Sequence, residues 1–293
     1  MQNNFEKNNY HNHQPNFFQL RFSDKVFNQF SRFIYEQMGI HLSHSKKVML
    51  QSRLTKRLRK LKINSFEEYF AYVTSDTGIA QEMPNLINAV TTNKTDFFRE
   101  PKHFEFLCNI VLPEFYESCK GRKFKIWSAG CSTGAEPYTM AMLLEEFSVK
   151  HTGFRYAILS TDISTEVLDI ARKGIYTHEM AQSIPTTLRK KYVLKKMGDD
   201  KRPLIQIVPE LRQKIKFKQI NLMDRTYSTI TDIDAIFCRN VFIYFNRKTQ
   251  ERVIRQLCHH LKPQGYFFMG HSETIYMKNA PIKSVATTIY QKK

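Results

Sequence analysis

The segment that most constrains the fold of this chain is residues 125–138, where a short apolar run ends in small residues and a helical pattern follows. This order is typical of a buried strand, a tight glycine turn and a helix N-terminus. Gly130 and Gly134 allow the backbone to approach a ligand closely, and the helix start supplies unpaired N–H groups. The segment therefore predicts a small-molecule site on an α/β sheet.

The kind of ligand is restricted by what the turn contains. Its two glycines do not form the GxGxxG pattern or a lysine-bearing phosphate loop, which disfavours a nucleotide phosphate. Glu136 lies in the same turn and repels phosphate. A carboxylate there suits a ligand with a cationic or hydroxyl-rich end.

The charge balance points to an acidic partner. The 293 residues carry a formal net charge of +18, which favours nucleic acid, an anionic membrane surface or an acidic protein as partner. A lysine-rich surface that only keeps the protein soluble is the alternative. The distribution argues for more than solubility, because residues 41–66 contain eight Lys or Arg and no Asp or Glu.

Several classes of protein are disfavoured by composition. No apolar stretch approaches the roughly 18 residues of a membrane span, so we expect no membrane insertion. Residues 1–22 lack the apolar region of a signal peptide and are expected to form a disordered leader. The five cysteines have no metal-ligand spacing, so we expect reduced thiols, no metal and a cytoplasmic location.

Residues 23–90 are predicted to form a small all-α domain. Ser23 is a candidate N-cap, and a second helix is expected from about residue 45 to 61. Ser65 and Glu68 form a capping-box pattern for a third helix, and residues 82–90 look like a fourth. Residues 91–100 are expected to join this domain to the rest of the chain.

After Pro101 the sequence alternates between helical and strand patterns, which predicts an α/β domain over residues 101–293 with a mostly parallel sheet. The expected strands are 124–129, 156–161, 215–220, 235–238, 266–269 and 284–290, with helices at 166–172 and 249–261 among those between them. Residues 173–213 interrupt the alternation and are interpreted as an inserted β-subdomain.

Ligands of such a sheet lie beyond the carboxyl ends of its central strands. Asp162 ends the second expected strand, where a carboxylate typically accepts hydrogen bonds from ribose hydroxyls. A helix cap is the alternative interpretation of Asp162. Together with a glycine turn that lacks a phosphate cradle, an acidic residue here favours S-adenosylmethionine as the ligand.

Four separated segments resemble one known family, the CheR-type chemotaxis receptor methyltransferases. They are residues 92–100, 130–138, 240–245 and 270–273. The resemblance extends from about residue 23 to 290. It implies a Rossmann-like S-adenosylmethionine-dependent methyltransferase domain with a small β-subdomain insertion, after an all-α N-terminal domain. It also implies transfer of a methyl group to glutamate side chains of chemoreceptor cytoplasmic helices, with S-adenosylhomocysteine as the second product.

The resemblance also implies the site residues. Arg99 and Tyr244 would lie nearest the transferred methyl group, and the linker 91–100 would contribute to the cofactor site. The implied cofactor contacts are Asn93, Thr95, Arg99, Glu136, Asp162, Asn221, Leu222, Arg239 and Asn240. Other interpretations stay open: Asn221 and Leu222 as the end of a strand, Arg239 as a structural ion-pair partner, Tyr244 as a core residue and His271 as a turn residue.

The implied substrate suggests a function for the second predicted helix, residues 45–61, which is rich in Lys and Arg. Receptor helices rich in glutamate would be complementary to a docking face formed by Arg53, Lys56, Arg57, Arg59 and Lys60. A solvated helix face is the alternative. Some family members bind a receptor C-terminal peptide through an insertion loop with closely spaced glycines, but this chain has a single Gly198 there. Direct recognition of the methylated helices is therefore favoured, by an enzyme that we expect to be monomeric.

Two rival functions remain. A nucleic-acid methyltransferase would suit the charge, but residues 240–244 lack the two prolines of the usual base-binding turn, so we expect no nucleic-acid partner. A non-catalytic module that binds S-adenosylmethionine is the other rival, and the presence of Arg99 and Tyr244 disfavours it.

Overall fold

The structure is a computed structural model that describes residues 20–119, 121–227, 230–275, 277 and 279–293. Residues 1–19 of the expected leader lie outside the described residues. Phe22, which was assigned to that leader, belongs to the helical domain instead, because its ring is 5% exposed and packs 4.6 Å from the ring of Phe66.

The helical domain forms as predicted, with one helix that the sequence did not indicate. Ser23 Oγ accepts a hydrogen bond from Val26 N, and Ser65 Oγ accepts one from Glu68 N at 3.0 Å. These side chains satisfy N–H groups that the first turn of a helix leaves unpaired. The helices are α1 (Asp24–Met38), α2 (Lys47–Leu61), α3 (Phe66–Val73), α4 (Asp76–Gln81) and α5 (Met83–Val90). The helix missed by the sequence analysis is α4, a short helix around Gly78.

A seven-stranded sheet forms the centre of the larger domain, in the order β6-β2-β1-β7-β8-β10-β9. Its strands are β1 (Lys123–Ala129), β2 (Arg155–Asp162), β6 (Ile215–Gln219), β7 (Ile233–Phe237), β8 (Leu261–Phe268), β9 (Ile282–Ala286) and β10 (Ile289–Lys292). The neighbours from β6 to β8 pair in parallel, as predicted. The prediction of a single strand at 284–290 is wrong, because Thr288 adopts a left-handed conformation (φ 54°) and turns the chain into an antiparallel hairpin.

Helices connect these strands on both sides of the sheet. They are α6 (Pro101–Phe106), which continues through a π-helical turn (Leu107–Val111) into α7 (Leu112–Ser118), then α8 (Ala135–Lys150), α9 (Thr165–Lys173) and α12 (Arg247–His260). Two clusters of buried side chains lie in this domain, one with Phe237 and Phe268 and the other with Trp127 and Phe267. They fix the strands whose carboxyl ends carry the site.

The insertion is a small β-subdomain, as predicted. Its antiparallel sheet has the order β3-β5-β4. It contains β3 (Ile175–Thr177), α10 (Thr186–Tyr192), β4 (Val193–Met197), β5 (Pro203–Ile207) and α11 (Pro209–Gln213). Gly198 lies in the turn between β4 and β5, where Gly198 N donates to Arg202 O at 3.0 Å. Among the described residues, no helix is long and apolar enough to span a bilayer.

Candidate active site

A cavity of about 640 Å³ lies at the carboxyl ends of β1, β2 and β7. The residues implied as cofactor contacts all line it, and so does Tyr244: Asn93, Thr95, Arg99, Glu136, Asp162, Asn221, Leu222, Arg239 and Asn240. The helical domain closes the opposite side with residues 38, 40–43, 46 and 49. The cavity is therefore shared by both domains and the linker between them.

The glycine turn forms the floor of the cavity. Gly130 and Gly134 have φ values of +81° and +94°, a region that strongly favours glycine. Gly130 N and Cys131 N both donate to Thr161 O, at 2.7 and 2.9 Å, which ties the turn to the end of β2. A Cβ atom at Gly130 would lie 2.5 Å from Val241 Cγ2. The glycines thus bring three chain segments close together around the cavity.

Asp162 is held in place by backbone N–H groups. Its Oδ2 accepts from Ser132 N at 2.8 Å and its Oδ1 from Ser164 N at 3.0 Å. Burial raises the pKa of this carboxyl, and the hydrogen bonds from the backbone oppose the rise. Ser164, not Asp162, caps α9, since Ser164 Oγ accepts from Val167 N. Each Asp162 oxygen keeps a further lone pair, which suits the two hydroxyls of a ribose.

Arg239 lies between two carboxylates. Its Nη2 is 3.0 Å from Glu100 Oε2 and its Nη1 is 3.1 Å from Glu136 Oε2, and the guanidinium also donates to Arg99 O. The side chain is only 2% exposed. Arg239 therefore acts as a structural ion-pair partner, the alternative that the sequence left open, while it also lines the cavity.

The two carboxylates respond differently to this environment. Burial raises the pKa of Glu136, although the Arg239 charge and the hydrogen bond from Ser128 Oγ (2.7 Å) oppose it. Burial also acts to raise the pKa of Glu100, but there the charge and hydrogen bonds of Arg239 outweigh it, so the pKa is lowered. The network places one guanidinium and two carboxyl groups in a largely buried site.

Two implied cofactor contacts have their side chains committed elsewhere. Asn221 Nδ2 donates to Gln37 O at 2.7 Å, and Asn221 Oδ1 accepts from Met223 N at 2.9 Å. Asn240 Nδ2 lies 3.3 Å from Glu100 Oε1. These asparagines hold the cavity wall together, so their contact with a ligand would use the backbone or the remaining hydrogen-bonding positions.

Arg99 and Tyr244 lie on the same cavity and are both half-buried. Arg99 Nη1 donates to Lys94 O at 3.2 Å. Tyr244 differs from its neighbours Phe242 and Phe245, which are buried in the core. Tyr244 packs against the edge of the core cluster that contains these two residues and also lines the cavity, so its contact with a ligand stays a prediction. Its backbone O accepts from His41 N at 2.8 Å, which ties it to the helical domain.

The predicted docking face is smaller than the sequence indicated. Arg53 Nη1 donates to the backbone oxygens of residues 89–91 at the C-terminus of α5. Arg57 forms two hydrogen bonds with Glu82, at 2.7 and 2.8 Å, and Glu82 is 2% exposed. The prediction that Arg53 and Arg57 face a partner is thus wrong for these two side chains, because they face α5. The exposed members are Lys56, Arg59 and Lys60.

Two further carboxylates, Glu100 and Glu273, contribute to the site without having been predicted as site residues. Glu100 was noted only as the end of a motif, yet it contacts Arg239 and Asn240. Glu273 contacts the backbone of residues 240–243. The helical-domain wall carries no sequence signal, because it results from how the two domains pack.

Glu100, His103 and His271 place potential metal-ligand atoms within 4.8 Å of one another. The same Glu100 oxygen that faces both histidines already accepts from Arg239. A divalent cation there would be repelled by the guanidinium, so we assign no metal to this cluster.

Fold and site together indicate a class. A glycine turn without a phosphate cradle, an acidic residue at the end of β2 and a partly apolar cavity fit S-adenosylmethionine, whose ribose hydroxyls suit a carboxylate. This geometry is that expected for an S-adenosylmethionine-dependent methyltransferase.

The comparisons with known proteins specify the family. Residues 25–91 match the family model for the all-alpha domain of CheR methyltransferases, and residues 93–291 match the model for their SAM binding domain. The chain belongs to the CheR methyltransferase family.

Curated relatives cover nearly the same length. Chemotaxis protein methyltransferase 2 of Pseudomonas aeruginosa is 38% identical over 93% of this chain and 94% of its own. The chemotaxis protein methyltransferase of Borreliella burgdorferi is 40% identical over 89% of this chain and 92% of its own. That of Escherichia coli is 37% identical, with 87% and 86% covered. These relatives disfavour both rival functions.

Proposed function

We propose that this methyltransferase esterifies glutamate side chains on the acidic cytoplasmic helices of a chemoreceptor, with Arg99 and Tyr244 at the reacting atoms. The observation that carries the proposal is the shared cavity. Arg99 and Tyr244 lie on it together with Glu136 and Asp162, so a cofactor on the carboxylates would face the two acceptor-side residues.

The cofactor supplies a methyl carbon bonded to a cationic sulfur. A glutamate acceptor has an ordinary pKa near 4.3, so it is ionised at neutral pH and requires no general base. Arg99 would orient this carboxylate through a charge-assisted hydrogen bond, and Tyr244 would donate a second one. Because the opposite charges of the carboxylate and the sulfonium cancel as the methyl group moves, the low-water environment around Arg239 favours the reaction.

The test is transfer of tritiated methyl groups from the cofactor to receptor cytoplasmic fragments. Base-labile release of methanol would identify a carboxyl methyl ester. Label on RNA would identify a nucleic-acid methyltransferase, and binding without transfer would identify a non-catalytic module. We expect Arg99→Ala and Tyr244→Phe to reduce kcat while S-adenosylhomocysteine still binds. Full receptor methylation by Arg99→Ala would refute its catalytic role.

The exposed part of α2 is proposed to dock the receptor. Lys56 and Lys60 are exposed, and complementary charge on a rim mainly affects encounter with the partner. Lys56→Glu combined with Lys60→Glu should raise the receptor KM at low salt and leave cofactor binding unchanged. The matched control is Lys195→Glu with Lys196→Glu, on the exposed strand β4 of the subdomain. An effect confined to the control pair would assign docking to the subdomain instead.

A further inference from the structure

Glu273 is buried between two loops at the edge of the cavity and binds both. Its side chain is 4% exposed. Oε2 accepts from Gly270 N at 2.7 Å and from Asn240 N at 3.0 Å, while Oε1 accepts from Phe242 N at 2.7 Å and from Ile243 N at 3.3 Å. One carboxylate therefore satisfies four backbone N–H groups from two separate chain segments.

The far end of the segment that it binds has other contacts, since Gln250 Nε2 donates to Phe242 O at 2.9 Å and His41 N donates to Tyr244 O at 2.8 Å. After β7 ends, Asn240 takes a left-handed conformation (φ 58°), and a single 3₁₀ turn (Phe242–Tyr244) follows. Asparagine adopts this conformation more readily than most non-glycine residues, at a modest cost that surrounding contacts offset. Successive N–H groups that point to one side form a cavity for an anion, and Glu273 fills it. The backbone N–H groups of Asn240, Phe242 and Ile243 thus all bind this one carboxylate.

Gly270 allows the two loops to approach. A Cβ atom at Gly270 would lie 2.5 Å from Asn240 Nδ2 and 2.8 Å from Asn240 N. Since a real Cβ atom does not come so close to its neighbours, any side chain at position 270 would displace residue 240. The loop position is therefore fixed from two directions, by attraction to Glu273 and by contact with Gly270.

The position of this loop matters because most of its residues line the cavity. Arg239 and Asn240 lie at its start, where Arg239 pairs with Glu136, and Tyr244 lies at its end. The side chain of Glu273 does not line the cavity itself. Any effect of Glu273 on methyl transfer would pass through the backbone of residues 240–243.

We propose that Glu273 is a positioning residue for methyl transfer: its carboxylate sets the position of Tyr244 relative to the cofactor-binding carboxylates by holding the backbone of residues 240–243. The proposal rests on the proposed function of Tyr244. The competing interpretation is that Glu273 stabilises the fold without affecting the geometry of the reaction.

Glu273→Gln separates the two interpretations. An amide keeps the shape but presents a donor to two of the four N–H groups, so the loop should shift. A displacement of about 1 Å away from the reacting atoms lowers the rate by about 100-fold, so we expect kcat to fall about 10- to 100-fold. S-adenosylhomocysteine should still bind within about tenfold of wild type, since most cavity residues lie on other segments. Amide hydrogen exchange in residues 240–243 should accelerate.

The decisive measurement is a double-mutant cycle with Tyr244→Phe. If Glu273 acts by placing Tyr244, the phenylalanine substitution should cost much less in the Glu273→Gln background than in wild type. Additive losses would overturn the proposal, and so would a wild-type kcat in folded Glu273→Gln. All assays are run well below the melting temperature of each variant.

Two further variants provide a second perturbation of the loop and a control for stability. Gly270→Ala displaces Asn240 without changing a charge and should reproduce the loss of kcat, even if Glu273→Gln folds poorly. Asp234→Asn removes another buried carboxylate that accepts a backbone hydrogen bond, from Lys125 N at 2.8 Å. It lies near the start of β7, at the opposite end of the sheet, and should lower the melting temperature but not kcat. An equal loss of kcat in Asp234→Asn would favour the purely stabilising interpretation.

The hydrogen exchange result distinguishes failure of this proposal from failure of the proposed function. If wild type methylates no receptor, the proposed function fails, whereas the exchange of residues 240–243 still reports whether Glu273 holds the loop. If wild type is active and Glu273→Gln neither loosens the loop nor slows transfer, the positioning role alone is refuted.

Discussion

Replacing Arg239 by methionine should lower the stability of the protein strongly, because this side chain is the buried ion-pair partner of two carboxylates. The guanidinium is 2% exposed and pairs with two carboxylates that are themselves only 12% and 13% exposed. Removing one partner of a buried ion pair costs about 3–5 kcal/mol, because the remaining charge is left uncompensated. For a domain of this size each kcal/mol shifts Tm by roughly 2–4 °C, so we expect a fall of about 6–20 °C.

The assay is calorimetry of Arg239→Met across pH, with Arg172→Met as the matched control. Arg172 pairs with Asp169 on the surface, where both side chains are about half exposed, and such pairs contribute about 0–1 kcal/mol. Burial acts to raise the pKa of both Glu100 and Glu136, and the Arg239 charge opposes it. Without Arg239 we therefore expect the folded-state pKa values of both carboxyls to lie above their unfolded values. The deficit of the variant should therefore shrink as the pH falls from 7.5 towards 5.

The result that would refute this reasoning is a Tm within about 2 °C of wild type together with weakened S-adenosylhomocysteine binding. Arg239 would then be a cofactor ligand with little structural role. A deficit that does not change with pH would refute the assignment of the cost to unpaired carboxylates.

Three further predictions follow from local geometry. Gly134→Ala should lower Tm more than Gly153→Ala. Both glycines have positive φ, but a Cβ atom at Gly134 would lie 2.8 Å from the Cβ atom of Ala171 in α9, whereas one at Gly153 would meet open space. Equal losses of Tm would show that backbone strain alone matters. Burial, with a smaller effect of the Arg239 charge, lowers the pKa of His103 to about 4, below its unfolded value near 6.5, so stability should fall as the pH drops from about 6.5 towards 4. The Tm of His103→Gln, measured by calorimetry, should change less over that window than the Tm of wild type. Parallel Tm curves for the two proteins would show that His103 does not cause the loss. Arg57→Met should lower the free energy of unfolding, measured with denaturant, by about 3–5 kcal/mol because it leaves the buried carboxylate of Glu82 without its ion-pair partner. Lys60→Met on the same helix should lower it hardly at all. Similar losses would show that the Arg57–Glu82 pair behaves as a surface pair.

The main architecture could be predicted from the sequence because local patterns determine it. The alternation of helical and strand patterns predicted the parallel sheet. Ser23 and Ser65 predicted helix starts because an N-cap interaction involves only three or four neighbouring residues. The hairpin at Thr288 was missed since a left-handed threonine has no sequence signature. Arg53 and Arg57 were misassigned because helical periodicity separates faces but does not tell solvent from a neighbouring helix.

The site was predictable to the extent that short motifs carry it. Residues of the segments 93–99 and 240–244 line the same cavity as the glycine turn. The roles of Glu100 and Glu273 depend on contacts over more than 30 residues of sequence. Such contacts exist only once the sheet has assembled, so no local pattern announces them.

The junction between the two domains has a consequence for protein engineering. Ile40 forms a β-bridge with Phe245, and Asn221 binds the backbone of Gln37. A chimaera that exchanges residues 23–90 with those of a homologue, in order to redirect the enzyme to another receptor, would cut across these contacts. Turnover would change along with partner choice unless the segments around residues 221 and 245 were exchanged too. If α2 docks the receptor as proposed, these contacts couple any change of the docking domain to the wall of the cavity.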